Sequence, residues 1–188
     1  MRNAVSVLAR VGGPRALNHL RRVVTHDDRE VRLQLVTDLS ESPDDNVLEL
    51  LVIGARDRDP QIRRQAIRSI VARRGKPAFD AITAIIGDDG FTRLEPDDQE
   101  AVLVAYSILG GDQAVDYLVR LAKRPTLFGG RMARFYHEVA FHALSQNRGE
   151  KAERVLLRMA AGWRPRLKRL AKQALQKRRE VIYGGADE

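Results

Sequence analysis

One apolar position recurs along the chain at Leu8, Leu39, Ile70, Leu109, Leu144 and Leu175, at intervals of 31, 31, 39, 35 and 31 residues. A period of this size excludes a single layered core. Each unit is too short to bury its own apolar face and must stack on its neighbours. Around five of the markers, apolar residues fall four apart: Val31, Leu35 and Leu39; Ile62, Ala66 and Ile70; Ala101, Ala105 and Leu109; Tyr136, Ala140 and Leu144; Leu167, Ala171 and Leu175. Spacing of four puts each set on one face of a helix. The central residue is small in four of the sets, which lets a neighbouring helix approach; Leu35 is the departure.

A second apolar segment precedes each of these five. Ala16, Leu17 and Leu20 are followed 31 residues on by Val47, Leu48 and Leu51, and again by Ala78, Phe79 and Ile82. Val115 with Leu118, and Ala152 with Val155 and Leu156, fill the same place further along. The unit is therefore helix A, turn, helix B. Pro14, Pro60 and Pro77 stand at first helical turns, where the missing N–H costs nothing. Asp28, Asp59 and Asp97 stand at helix starts, where a carboxylate caps free amides. Glycines at 12, 13, 75, 110, 111 and 149 mark the turns after helix B.

These signals predict an all-α solenoid occupying 1–182 as a single array, with helix pairs at 14–40, 45–73, 76–110, 112–147 and 150–180. An unpaired helix at 2–11 precedes them, its Ala4 and Leu8 matching Ala66 and Ile70, and a flexible tail at 183–188 follows.

Two segments carry a family resemblance. "DDREVRLQLVTDLSE" (27–41) and "DRDPQIRRQAIRSIVARRG" (57–75) resemble HEAT repeats, in which the second helix commonly opens on Asp, often Pro, then a Val-Arg or Ile-Arg pair and a small residue before a final Leu. Asp59, Pro60, Ile62, Arg63, Ala66 and Ile70 match that pattern, as do Asp28, Val31, Arg32 and Leu39. The later repeats depart, with Glu100, His137 and Lys168 at or near the arginine position. The resemblance implies a right-handed superhelix of armadillo-like helix pairs with B helices on the concave side. It implies binding and scaffolding far more than catalysis.

Charge narrows the partners. The net charge is +8, and residues 151–188 carry +7 of it. Such asymmetry predicts an acidic partner for that end, a nucleic acid, phosphate or an acidic protein face. Arg164, Arg166, Lys168, Arg169 and Lys172 are the candidate contacts; the competing reading is a polar cap on the last repeat. Trp163 either stacks on a base or plugs the turn between the last two helices. No cysteine occurs, which excludes disulfides, thiolate metal sites and Cys nucleophiles. No apolar run approaches the length of a membrane span, and a cytoplasmic location is expected.

Two A-to-B turns are expanded, at 88–96 and 124–130, in adjacent repeats. Their apolar Phe91, Leu94, Leu127 and Phe128 either bind a partner or fold back over the core. Insertions of this sort often mark the binding edge of a repeat protein. Arg63, Arg64 and Arg68 on the second B helix are the further partner-binding candidates. Arg32 and Arg63 each follow an Asp by four, the spacing of a helical ion pair that would form an Asp–Arg ladder between repeats.

No enzyme signature is present: no phosphate-binding glycine loop and no nucleophile elbow. His137 and His142 are five apart and lie about 500° around a helix, not the ~400° of the His-Glu-x-x-His zinc motif. HEAT-like deoxyhypusine hydroxylases use several His-Glu pairs to hold iron, and this chain has only His137–Glu138. The expectation is therefore a non-catalytic module without metal or cofactor that binds a protein. A nucleic-acid-binding solenoid is the alternative, and a HEAT-like DNA glycosylase or metal hydroxylase is the least supported reading.

Overall fold

A computed structural model describes residues 7–9, 13–125 and 130–183, and among these the regular structure is helical throughout. The helices fall in pairs: α1 (Pro14–Val23) with α2 (Arg29–Glu41), α3 (Leu48–Gly54) with α4 (Pro60–Arg73), α5 (Gly75–Ile86) with α6 (Pro96–Gly110), α7 (Val115–Ala122) with α8 (Gly130–Gln146), and α9 (Glu150–Ala160) with α10 (Pro165–Tyr183). Short 3₁₀ turns precede α3 (Asp45–Val47), α6 (Phe91–Arg93) and α7 (Gly111–Gln113). Of the helix expected at 2–11, only residues 7–9 are described, and they are helical. The expected tail and the turn residues Leu127 and Phe128 lie outside the described residues.

The chain divides within α6 into two compact units, Met1–Val102 and Leu103–Glu188. In the first, α2 packs along α4, and α3 packs on α4 and α5, giving one layer of A helices and one of B helices. In the second, α8 packs on α7 and α10, and α10 packs on α9.

The apolar ladder accounts for this. Leu35, Leu39, Ile62, Ala66, Ile70, Tyr136, Ala140, Leu144 and Ala171 are buried. Each large side chain so buried contributes about 1.5–3 kcal/mol. Small residues set how closely the layers approach. A Cβ on Gly54, at the end of α3, would stand 3.0 Å from Val36 Cγ2 and 3.2 Å from Ala66 Cβ. Leu8 is only half-buried, so the first marker is less enclosed than Leu39 or Ile70.

The helix starts follow from local chemistry. Asp28 accepts the Glu30 amide, and Asp59 accepts the amides of Gln61 and Ile62. Pro60 then supplies a pre-set φ at the first position of α4. α4 ends at Arg74, whose φ of 55° and ψ of −176° turn the chain sharply into α5. Gly75 follows with φ 74°.

Candidate interaction surfaces

Polar residues at two fixed distances from the marker hold the turns. Seven residues before it stand Arg32, Arg63 and His137, all buried. Arg32 Nη1 donates to the carbonyls of His26 (2.7 Å) and Asp27 (3.0 Å). Arg63 Nη1 makes the same two bonds one repeat later, to Asp57 (2.9 Å) and Arg58 (3.1 Å). His137 Nε2 lies 2.8 Å from the Arg124 carbonyl, so it carries the proton and donates. The histidine reaches further along the chain because its A-to-B turn is longer. The rest of each guanidinium faces the following repeat: Arg32 Nε and Nη2 donate to Asp57 (2.6 and 3.0 Å), and Arg63 Nε donates to Asp98 (2.6 Å).

The Asp–Arg ladder is therefore present, but its pairing differs from the i,i+4 expectation. Asp28 and Asp59 are occupied as N-caps, and a buried arginine finds the aspartate of the next repeat. Asp59 takes Arg29 of the preceding B helix at 2.7 Å. This hydrogen bond, with the helix amides, holds the Asp59 carboxyl below its usual range, while Arg29 and Arg32 are raised by their carboxylate partners.

Three residues after the marker stand Arg73, Asn147 and Arg178, a second set that the apolar periodicity did not single out. Arg73 Nη2 donates to the carbonyls of Leu39 (2.7 Å) and Ser42 (2.6 Å). Asn147 Nδ2 donates to the carbonyls of Ser107 (3.0 Å) and Gly111 (2.8 Å). Arg178 Nη2 donates to Gly149 O at 3.0 Å. These side chains close the turns from helix B to helix A. Their common register was the available signal.

What the ladder leaves outside is a groove in the first unit. It encloses about 720 Å³ between the start of α4 and the turn 88–96. Phe91 and Ile85 are buried at its floor, Leu94 is half-buried, and Pro60 and Pro96 flank it. Phe91 thus folds back over the core, while its turn shapes the groove wall. Arg56, Arg58, Arg64 and Arg93 line the opening with Glu95 and Asp97. Arg56 is tied to Asp88 at 3.2 Å, and Arg58 donates to Asp27 O at 2.8 Å. Arg64 is exposed and also lines a smaller depression of about 330 Å³ with Gln61, Gln65 and Arg68. Of the candidates on α4, Arg64 and Arg68 face outward, whereas Arg63 is 8% exposed with its guanidinium engaged internally. Arg58 and Arg93 were not read from the sequence as site residues; the first is disguised by alternation with Asp57 and Asp59.

In the second unit, Arg164, Lys168, Arg169 and Lys172 are exposed, and Arg166 is not free: it pairs with Glu138 of α8 at 2.8 Å. Trp163 does not plug its turn; it is 86% exposed, with the Arg164 guanidinium 5.4 Å from its ring centroid. His137 and Glu138 point to separate tasks, one closing a turn and one pairing with α10. Among the described residues no group of three or more His, Asp or Glu is placed to hold a metal, and no helix is long and apolar enough to cross a membrane.

Residues 22–95 match the family model described as HEAT repeats, spanning the two segments that carry the Asp, apolar–Arg pattern. No curated protein matches the chain. The match, the paired helices and the buried Arg32 and Arg63 agree: residues 22–95 are HEAT repeats, within an all-α solenoid fold.

Proposed function

We propose that this protein is a non-catalytic interaction module of the cytoplasm that takes an acidic segment of a protein partner along the first unit. HEAT repeats generally mediate protein interaction and scaffolding, and that coarse role is the frame for the finer reading. The observation that carries it is the groove beside turn 88–96. Its apolar floor and flanks, from Phe91, Leu94, Pro60 and Pro96, suit an extended chain, and Arg58, Arg64 and Arg93 stand at its opening. Arg64 continues this cationic path to Arg68 on the outer face of α4. The buried carboxylates of Asp57 and Asp98 are neutralised by Arg32 and Arg63, and Arg58, Arg64 and Arg93 outnumber the exposed Glu95 and Asp97 at the opening. Binding would rest on a preformed surface, with little ordering cost in the protein itself.

The test is a triple charge reversal, Arg64→Glu with Arg68→Glu and Arg93→Glu. Affinity capture with mass spectrometry identifies the partner of the parent protein, and anisotropy with that purified partner measures affinity. At least ten-fold weaker binding is expected, with far-UV circular dichroism and the urea midpoint unchanged. Equal affinity in a folded variant would remove the groove from consideration.

A further inference from the structure

The outer face of α10 has a property that closing a stack does not require. In α2, α4 and α8 the residue three before the marker is Val36, Ile67 or Phe141, each buried, and in α6 it is the half-buried Tyr106. In α10 the same place holds Lys172, and Lys168 takes the place of the buried Arg32, Arg63 and His137. Both lysines are exposed. A polar end needs only hydrophilic side chains of either sign. Here Arg164, Lys168 and Lys172 form a single-sign ridge at steps of four, about 6 Å of rise each. Arg169 stands beside them over a shallow depression of about 430 Å³. None of the four forms an ion pair with a carboxylate among the described residues.

At the head of this ridge lies Trp163, the sole tryptophan of the sequence, 86% exposed. One face of its ring is near the Arg164 guanidinium. An indole left in water is unfavourable unless a partner covers it, and a cap does not call for one. An aromatic plane beside a cationic ridge matches a base stacked on the ring with its backbone phosphates running along the helix.

We propose that this end of the second unit binds single-stranded nucleic acid without base-specific readout. Trp163 takes one base, and Arg164, Lys168, Arg169 and Lys172 take the phosphates. A single strand fits better than a duplex because the ring needs an unstacked base. The site is separate from the groove in the first unit, so either reading stands or falls alone.

The experiment uses the full chain and a dye-labelled oligothymidylate, read by anisotropy, with Trp163 fluorescence recorded alongside. Four phosphate contacts on a single strand give a slope of about −2.8 in log affinity against log salt, roughly a 50-fold loss between about 50 and 200 mM. Lys168→Gln with Lys172→Gln leaves two contacts, and the same salt change then costs about seven-fold. Trp163→Ala weakens binding by about five-fold or more through lost stacking. All three residues are exposed, so the variants are expected to keep the parent circular dichroism spectrum. Quenching of Trp163 on binding is the expected spectroscopic mark. No binding at ~50 mM salt overturns the proposal. So does binding without quenching, tighter binding of a duplex, equal binding of polyglutamate, or a blue shift with anionic vesicles in place of quenching by the oligonucleotide.

Discussion

Replacing Arg63 by methionine removes the side chain that joins the second repeat to the start of α6. Arg63 and its partner Asp98 are both buried, with side chains 10% and 3% exposed. The substitution leaves the Asp98 carboxylate out of water with no cation, and the carbonyls of Asp57 and Arg58 without their donor. Breaking a buried pair in this way costs about 3–5 kcal/mol. That is a large share of a total stability of about 5–15 kcal/mol. The comparison is Lys76→Met, which breaks an ion pair with Asp80 whose side chains are 83% and 56% exposed. An exposed pair at that spacing is worth only about 0.3–0.5 kcal/mol. Urea unfolding followed by circular dichroism separates the two, since the variants should differ by several kcal/mol. Adding Asp98→Leu to Arg63→Met removes the stranded charge and should restore much of the loss. Recovery stays incomplete because the partly buried carbonyls of Asp57 and Arg58 still lack their donor. If Arg63→Met costs under about 1 kcal/mol, or if the double variant is as unstable as the single one, the argument that this arginine is a buried interrepeat tie is wrong.

Asn147→Ala should cost about 2–3 kcal/mol, because Asn147 is fully buried and its amide serves Ser107 and Gly111 while accepting the Gly149 amide. Asn147→Asp should be at least as damaging in the same urea assay, since it places a carboxylate against two carbonyls; a neutral effect of either would remove Asn147 from the turn-closing set. Arg74→Gly should raise stability by about 1 kcal/mol, as the residue's φ of 55° with ψ near −176° strains any side chain; a lower urea midpoint would show that the arginine compensates elsewhere. Acid should weaken the fold through Asp59, lowered chiefly by Arg29, and Asp44, lowered chiefly by the backbone amides of Asn46 and Gly13. Their depressed folded values mean that the unfolded chain binds more protons, so their stabilisation is complete above about pH 4 and is lost as pH falls through the folded values. Urea midpoints between about pH 6 and 3 should fall less steeply in Asp59→Asn than in the parent, and parallel curves would refute the assignment.

The fold was legible because its determinants are periodic. Leu39, Ile70 and Leu144 recur on an interval that only stacked helix pairs produce, and Asp28, Asp59 and Pro60 mark helix starts by chemistry local to a few residues. Partner choice was less legible because it is not local. Nothing between Asp28 and Arg32 reveals that the aspartate is occupied by the Glu30 amide and that the arginine reaches Asp57, 25 residues on. Adjacent arginines likewise read alike in sequence. Arg63 and Arg64 differ by one step around a helix, and that step takes one into the repeat interface and the other to solvent. Trp163 shows the opposite limit: burial is the ordinary expectation for an indole in a short turn, yet the turn between α9 and α10 leaves it outside.

The division of labour among these arginines is the centre of the account, and side-chain hydrogen exchange reads it directly. In a nitrogen-15 NMR spectrum of the arginine Nε–H groups, Arg32 and Arg63 donate to buried carboxylates, whereas Arg64 Nε meets only the Pro60 carbonyl at 3.2 Å on an exposed face. The Nε protons of Arg32 and Arg63 are expected to exchange slowly with water, and those of Arg64, Arg68 and Arg93 much faster. Fast exchange at Arg63, equal to that at Arg68, would contradict the account.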